Sequence, residues 1–222
     1  MLRKAALPEG FVVYADFQTA GKGQQGNAWE SERGANMLFS ILLYPCHIGI
    51  EQQFLISQTV CLGIKKTLDN YLDHITVKWP NDIYWKDKKI SGILIQNALQ
   101  EATLKNSIVG IGLNVNQTMF ISDVPNPVSM RQITNKVYDR DHLLSEIYTN
   151  IMDLYKNADK VFIKQEYDKS LYRRSGFYAF RAGEKVFQAK IHSVGSDGLL
   201  ILETELGNKR GFYFKEVEFV IM

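Results

Sequence analysis

Three short segments bring lysines, amides and glycines together at spacings that suit an anionic ligand. Lys78-Trp79-Pro80-Asn81-Asp82-Ile83-Tyr84 places a cation at the end of a short strand. There Pro80 removes a ladder donor, and Asn81 and Asp82 can fold their side chains back onto local amides. Ten residues on, Lys89-Ile90-Ser91-Gly92-Ile93-Leu94-Ile95 sets one lysine at the mouth of an apolar strand. Gly92 lets a ligand come close to that backbone. Gly110-Ile111-Gly112-Leu113-Asn114-Val115-Asn116 repeats the pattern: a buried strand opened by glycines and ending in amides. Each segment alone also reads as plain structure, the first as a turn with Lys78 solvated and the second as a solvated hairpin tip.

A fourth segment, Gly21-Lys22-Gly23-Gln24-Gln25-Gly26, fits the G-x-G-x-x-G pattern and follows a strand. A dinucleotide site needs a helix to open at those glycines and an acidic residue about 20 positions further on. Here the chain runs on through Asn27-Ala28-Trp29-Glu30-Ser31-Glu32-Arg33-Gly34 without an apolar helical face, and Tyr44-Pro45-Cys46-His47 offers no carboxylate. The dinucleotide reading fails. A glycine loop with one cation, Lys22, and one large aromatic, Trp29, remains. Its amides suit phosphate or carboxylate oxygens, and the indole can cap a planar or apolar ligand. Otherwise it is a surface loop.

The elements that position these segments follow from pattern. Phe11 to Asp16 reads as a strand, Met37 to Tyr44 as a buried strand stopped by Pro45, and Glu51 to Leu72 as a long helix. Ile75 to Trp79 is a short strand, Tyr84 to Gln100 a hairpin turning at Lys86-Asp87-Lys88, and Ile108 to Val115 another strand. Helices are expected at about Asp141 to Asn157 and Ala158 to Arg173. From Gly176 the texture changes to short strands, Val186 to Ile191, Gly198 to Leu202 and Lys209 to Phe214, separated by glycine turns. An α+β domain with a small all-β tail is the expected architecture.

Composition excludes several classes. With 222 residues, 45% hydrophobic and 23% charged, the chain can bury a sizeable core without disulfides. A formal charge of +2 gives no basic face for a polyanion. No apolar run reaches the roughly 20 residues that span a bilayer, and Met1 to Pro8 has no signal core. Cys46 and Cys61 form no metal-type pair, and the four histidines are scattered, so a reduced, cytoplasmic chain without a fixed metal site is expected.

Taken in order, Gln18-Thr19-Ala20-Gly21-Lys22-Gly23, Trp29, Lys78 to Tyr84, Lys89 to Ile95 and Gly110 to Asn116 resemble the catalytic domain of biotin protein ligases. The β tail resembles that family's SH3-like C-terminal domain. The resemblance implies a mixed-sheet, class II synthetase-like catalytic domain over residues 1–174 and an SH3-like barrel over 175–222. It implies that biotin and ATP, with Mg²⁺, give biotinyl-5′-AMP, and that a lysine of a biotin carboxyl carrier protein then takes the biotinyl group. By the same resemblance, Gln18 faces the biotin head group, and Gly21, Lys22, Gly23, Gln24 and Trp29 belong to a loop closing over biotin and adenylate. Lys89 holds the biotin carboxylate and the α-phosphate, and Lys78 adds a second cation. Asn81, Asp82 and Asn114 surround the nucleotide, Asp82 near its Mg²⁺, while Gly92, Gly110 and Gly112 admit the ligand to the sheet. Pairing of two copies through the sheet is compatible with this fold.

The sequence departs from the family in two places. Lys22, Gln24 and Gln25 stand where the family's loop commonly carries arginines, which costs the planar fork that grips carboxylate and phosphate. A leakier adenylate is expected, and Gln24→Arg should slow its release. The family also begins with a strand, a Ser-Thr-Asn motif and a helix, whereas Met1 to Gly10 resembles only the end of that helix. No helix-turn-helix precedes the domain, so no DNA partner is expected. Two other readings stay open on the residues alone: a lipoate or octanoate transferase of the same fold, and a non-catalytic protein that holds biotin or adenylate.

Overall fold

The computed structural model describes residues 7–23, 28–121 and 126–221. Six strands form the main sheet: β1 (Val12–Ala15), β2 (Met37–Leu43), β3 (Ile75–Lys78), β4 (Asp82–Trp85), β5 (Lys88–Gln100) and β6 (Thr103–Leu113). Their order is β1-β2-β6-β5-β4-β3. Every ladder between these strands is antiparallel; parallel pairing is confined to the single bridges Val77–Leu171 and Lys89–Pro127.

Side chains alternate across a strand, and one face of the sheet is packed by helices. Val109, Ile111 and Leu113 of β6 enter the same apolar core as Ile56, Val60 and Ile64 of α1 (Phe54–Leu68). α1 is buried nearly all round because α3 (Arg140–Asn157) and α4 (Lys160–Ser170) cover its outer side. α3 approaches closely at Gly63, where a Cβ would lie 2.5 Å from Ile151 Cγ1 and 2.9 Å from its backbone nitrogen. The single long helix expected over 51–72 is instead a 3-10 turn at Ile50–Gln52 followed by α1. Beyond Leu68 the backbone tightens, with Asn70 N–H bonded to Thr67 O and Tyr71 N–H to Leu68 O.

Helix α2 (Met130–Thr134) is short and carries a full capping box, Ser129 and Gln132 each satisfying the other's backbone N–H. The tail forms a second antiparallel sheet, in the order β10-β9-β8-β7-β11. Its strands are β7 (Tyr178–Ala182), β8 (Lys185–Val194), β9 (Leu200–Thr204), β10 (Lys209–Phe212) and β11 (Glu218–Phe219). Phe180, Ile191, Leu202 and Phe212 join the apolar cluster of the main domain. Trp79 ties the two sheets directly, its indole N–H donating to Gly198 O at 2.9 Å. Among the described residues no helix is long and apolar enough to cross a membrane.

Candidate active site

The face of the main sheet turned away from the helices floors a cleft of ≈ 1330 Å³. A pocket for one small molecule occupies about 300–1,000 Å³, so this cleft has room for a second ligand. Register builds its floor in rows. Leu38, Gly112, Gly92 and Asp82 lie side by side on β2, β6, β5 and β4, and Ser40, Gly110 and Leu94 form the next row. The glycines lower the floor because nothing projects from them on the cleft side.

One end wall is the glycine loop. Trp29 N–H bonds to Gly21 O at 3.0 Å and Lys22 bridges Ala28, so the loop is pinched into a narrow neck. Gln18, Lys22, Gly23 and Trp29 line the cleft. Beyond Trp29 the chain is anchored by Gln117, whose amide oxygen accepts from Glu32 N–H and from Asn36 Nδ2 while its amide nitrogen donates to Glu30. The C-terminal tail adds a further wall through Phe214, Val217, Phe219 and Ile221.

Three charges meet between these walls. Lys89 Nζ lies 2.7 Å from Asp82 Oδ1. Lys78 Nζ lies over two rings, 5.2 Å from the centroid of Tyr84 and 5.3 Å from that of Phe219. Burial holds the Lys78 ammonium below the ordinary lysine value; Asp82 opposes that shift and Lys89 adds to it. Among the described residues, Lys22, Lys78, Lys89 and Lys215 line the cleft together with Glu30, Asp82 and Glu218, four cations against three carboxylates, which leaves one positive charge in excess for an anion.

The corner that carries Asn81 and Asp82 is held from behind. Ser57 of α1 and Tyr167 of α4 both donate to Pro80 O, at 3.2 and 2.9 Å. Asn81 Nδ2 donates to Ile93 O at 2.6 Å, locking the corner to β5. The backbone of Lys89 is clamped likewise, its N–H to Asn126 O and its carbonyl to Val128 N–H.

Of the residues singled out in the sequence, Gln18, Lys22, Gly23, Trp29, Lys78, Asn81, Asp82, Lys89, Gly92, Gly110 and Gly112 all line this one cleft. Gly21 serves the loop neck instead. Asn114 is not on the cleft wall: it lies past the end of β6, bonded through its backbone to Ile90 and Met130, and is 3% exposed. Gln24 lies outside the described residues. Sequence reasoning missed Ser40, Tyr84 and Phe219. Ser40 was findable as the one hydroxyl in an apolar strand; Phe219 carries no local signal and reaches the cleft only through the fold of the tail. Among the described residues, no three His, Cys, Asp or Glu side chains gather as a metal site.

Comparison with known proteins agrees with this geometry. The bifunctional ligase/repressor BirA of Bacillus subtilis is 29% identical over 95% of this chain. The chain spans 66% of the length of that relative. Human biotin–protein ligase is 32% identical over 66% of this chain, which corresponds to 22% of the human protein. The structure of the Aquifex aeolicus biotin protein ligase in complex with biotin and ATP superimposes with a TM-score of 0.79 at 26% identity, covering 98% of this chain and 91% of that one. The sequence profile of the biotin/lipoate A/B protein ligase family matches residues 1–114, which include the glycine loop, both lysine segments and the glycine floor. The chain belongs to that family, and its relatives in sequence and in structure include biotin protein ligases.

Proposed function

We propose that this chain joins biotin to a lysine of a biotin carboxyl carrier protein in the cytoplasm, at the expense of ATP. In the first step a carboxylate oxygen of biotin bonds to the α-phosphorus of ATP, the bond to the β-phosphate breaks, and pyrophosphate leaves. In the second, the carrier's uncharged lysine amine attacks the anhydride carbonyl, AMP leaves with the bonding electrons, and the amine gives up its proton.

The observation that carries this reading is the convergence of Lys78, Lys89 and Asp82 on a glycine-floored cleft with room for two ligands. Two anions must approach each other in the first step, and fixed cations offset their repulsion. Lys89 stands where it can meet both. Lys78 adds a cation held against the rings of Tyr84 and Phe219. Asp82, beside Lys89 on the sheet, is the carboxylate we assign to nucleotide-bound Mg²⁺, an ion that takes few protein ligands and neutralises phosphate charge when bound. The anhydride hydrolyses where water reaches it, and Trp29 and the C-terminal tail both line the cleft and can help to exclude water from it. In this reading residues 1–174 are the catalytic domain and 175–222 an SH3-like domain.

Exchange of labelled pyrophosphate into ATP tests the first step. It should require biotin, and Lys89→Ala should lower it by about 100-fold or more, the scale for loss of one fixed charge at a reacting oxyanion. Exchange that ignores biotin, or that survives Lys89→Ala, contradicts the reading.

A further inference from the structure

Gly92, Gly110 and Gly112 look equivalent in sequence, and the structure separates them. Gly92 and Gly112 face each other across β5 and β6. The indole of Trp29 lies on both. A Cβ at Gly112 would stand 2.4 Å from Trp29 Cε2 and 2.8 Å from its Nε1, and a Cβ at Gly92 would stand 2.9 Å from Cζ3. Carbon atoms do not pack that closely, so any other residue at either position would lift the ring. Gly110 is different. A Cβ there has as its nearest neighbours Leu94 O at 3.5 Å, Ser40 Oγ at 3.8 Å and Leu94 Cβ at 3.9 Å, ordinary contacts that leave the indole untouched.

We infer that Gly92 and Gly112 are positioning residues, a seat for the Trp29 indole that makes it the end wall of the cleft, while Gly110 is the glycine that opens the floor to ligand. Trp29 Nε1 is buried without a hydrogen-bond partner among the described residues, so close packing on the two glycines is the main contact seen for the ring. Lys89 sits beside the same seat, its Nζ 5.9 Å from the indole centroid and 3.3 Å from where a Gly92 Cβ would be. Lifting the ring therefore disturbs the neighbourhood of the principal cation as well. The seat ties the glycine loop to the sheet by two missing side chains, which no reading of the loop alone would reveal.

Two readouts test this on the full chain. The first needs no ligand: the Trp29 indole N–H resonance, assigned by its disappearance in Trp29→Phe, is followed in a ¹⁵N-labelled sample. Gly112→Ala and Gly92→Ala should each move it, and Gly110→Ala should leave it in place. Two seat variants are used so that a folding failure in one leaves the other to decide. The second readout is biotin affinity by calorimetry, and rests on the proposed function. Gly112→Ala should weaken biotin by about tenfold or more, equivalent to about 1.4 kcal/mol. In a Trp29→Ala background the same change should alter affinity by less than about threefold, because sites that act through one another are not additive. An indole resonance unmoved by both seat variants overturns the inference. So does a loss of biotin affinity that is the same with and without Trp29, since the glycine would then serve the ligand directly. If no variant and no native chain binds biotin, the proposed function fails, and the indole resonance still decides the seat.

Discussion

Lys78 is the residue whose chemistry depends most on its surroundings. Its amine lies over the rings of Tyr84 and Phe219, and burial lowers its proton affinity from the ordinary value of 10.5. The folded chain therefore binds fewer protons than the unfolded chain between the lowered value and 10.5. Stability should rise with pH across that window, because the cost of burying the charge is fully present below it. Activity should run the other way, since the cation is lost as pH rises through the lowered value. The alkaline limb of biotin-dependent pyrophosphate exchange should lie below pH 10.5 and move upward in Lys78→Arg, whose guanidinium stays charged; an unmoved limb would remove Lys78 from the chemistry. At this scale the sequence was informative where residue type alone limits the options: a lone lysine at a strand mouth, and glycines in an apolar strand. It was silent on Phe219, whose role comes only from tertiary placement, and it could not separate Gly110 from Gly92 and Gly112, because Trp29 is distant in the chain.

The corner after β3 is held by two helices that contribute nothing to the cleft surface. Ser57 and Tyr167 share one acceptor, Pro80 O. Removing either hydroxyl should cost about 1 kcal/mol in urea unfolding, since the other still satisfies the carbonyl. Ser57→Ala with Tyr167→Phe should cost more than the sum, because the carbonyl is then buried and bare. Simple additivity would mean the two bonds act independently. The helices themselves were legible from periodicity, and so was the hairpin of β4 and β5. α2 was missed although Ser129-Met130-Arg131-Gln132 spells a capping box; at five residues it is too short to show a period. β7 and β11 were missed for a related reason: β11 is two residues long, and neither strand has an alternating pattern to announce it.

On the scale of the whole molecule, the second sheet and the main domain share one apolar cluster, and Trp79 bonds across to Gly198. The sequence showed the change of texture near Gly176. It could not show that the tail returns to wall the cleft, since that depends on contacts between residues more than a hundred positions apart. A shared core predicts shared fate: far-UV circular dichroism and tryptophan fluorescence should report one unfolding transition with one midpoint. Two resolved midpoints would mean that the tail folds by itself and that Lys78 can lose its Phe219 partner without global unfolding.

Both steps of the proposed reaction meet in the mass of the acceptor. A biotin carboxyl carrier domain incubated with this chain, biotin and MgATP should gain the mass of one biotinyl group, and should not gain it when its acceptor lysine is replaced by arginine or when the chain carries Lys89→Ala. An unchanged mass under conditions where the native chain is folded and binds biotin would contradict ligation and leave a protein that holds its ligand without passing it on.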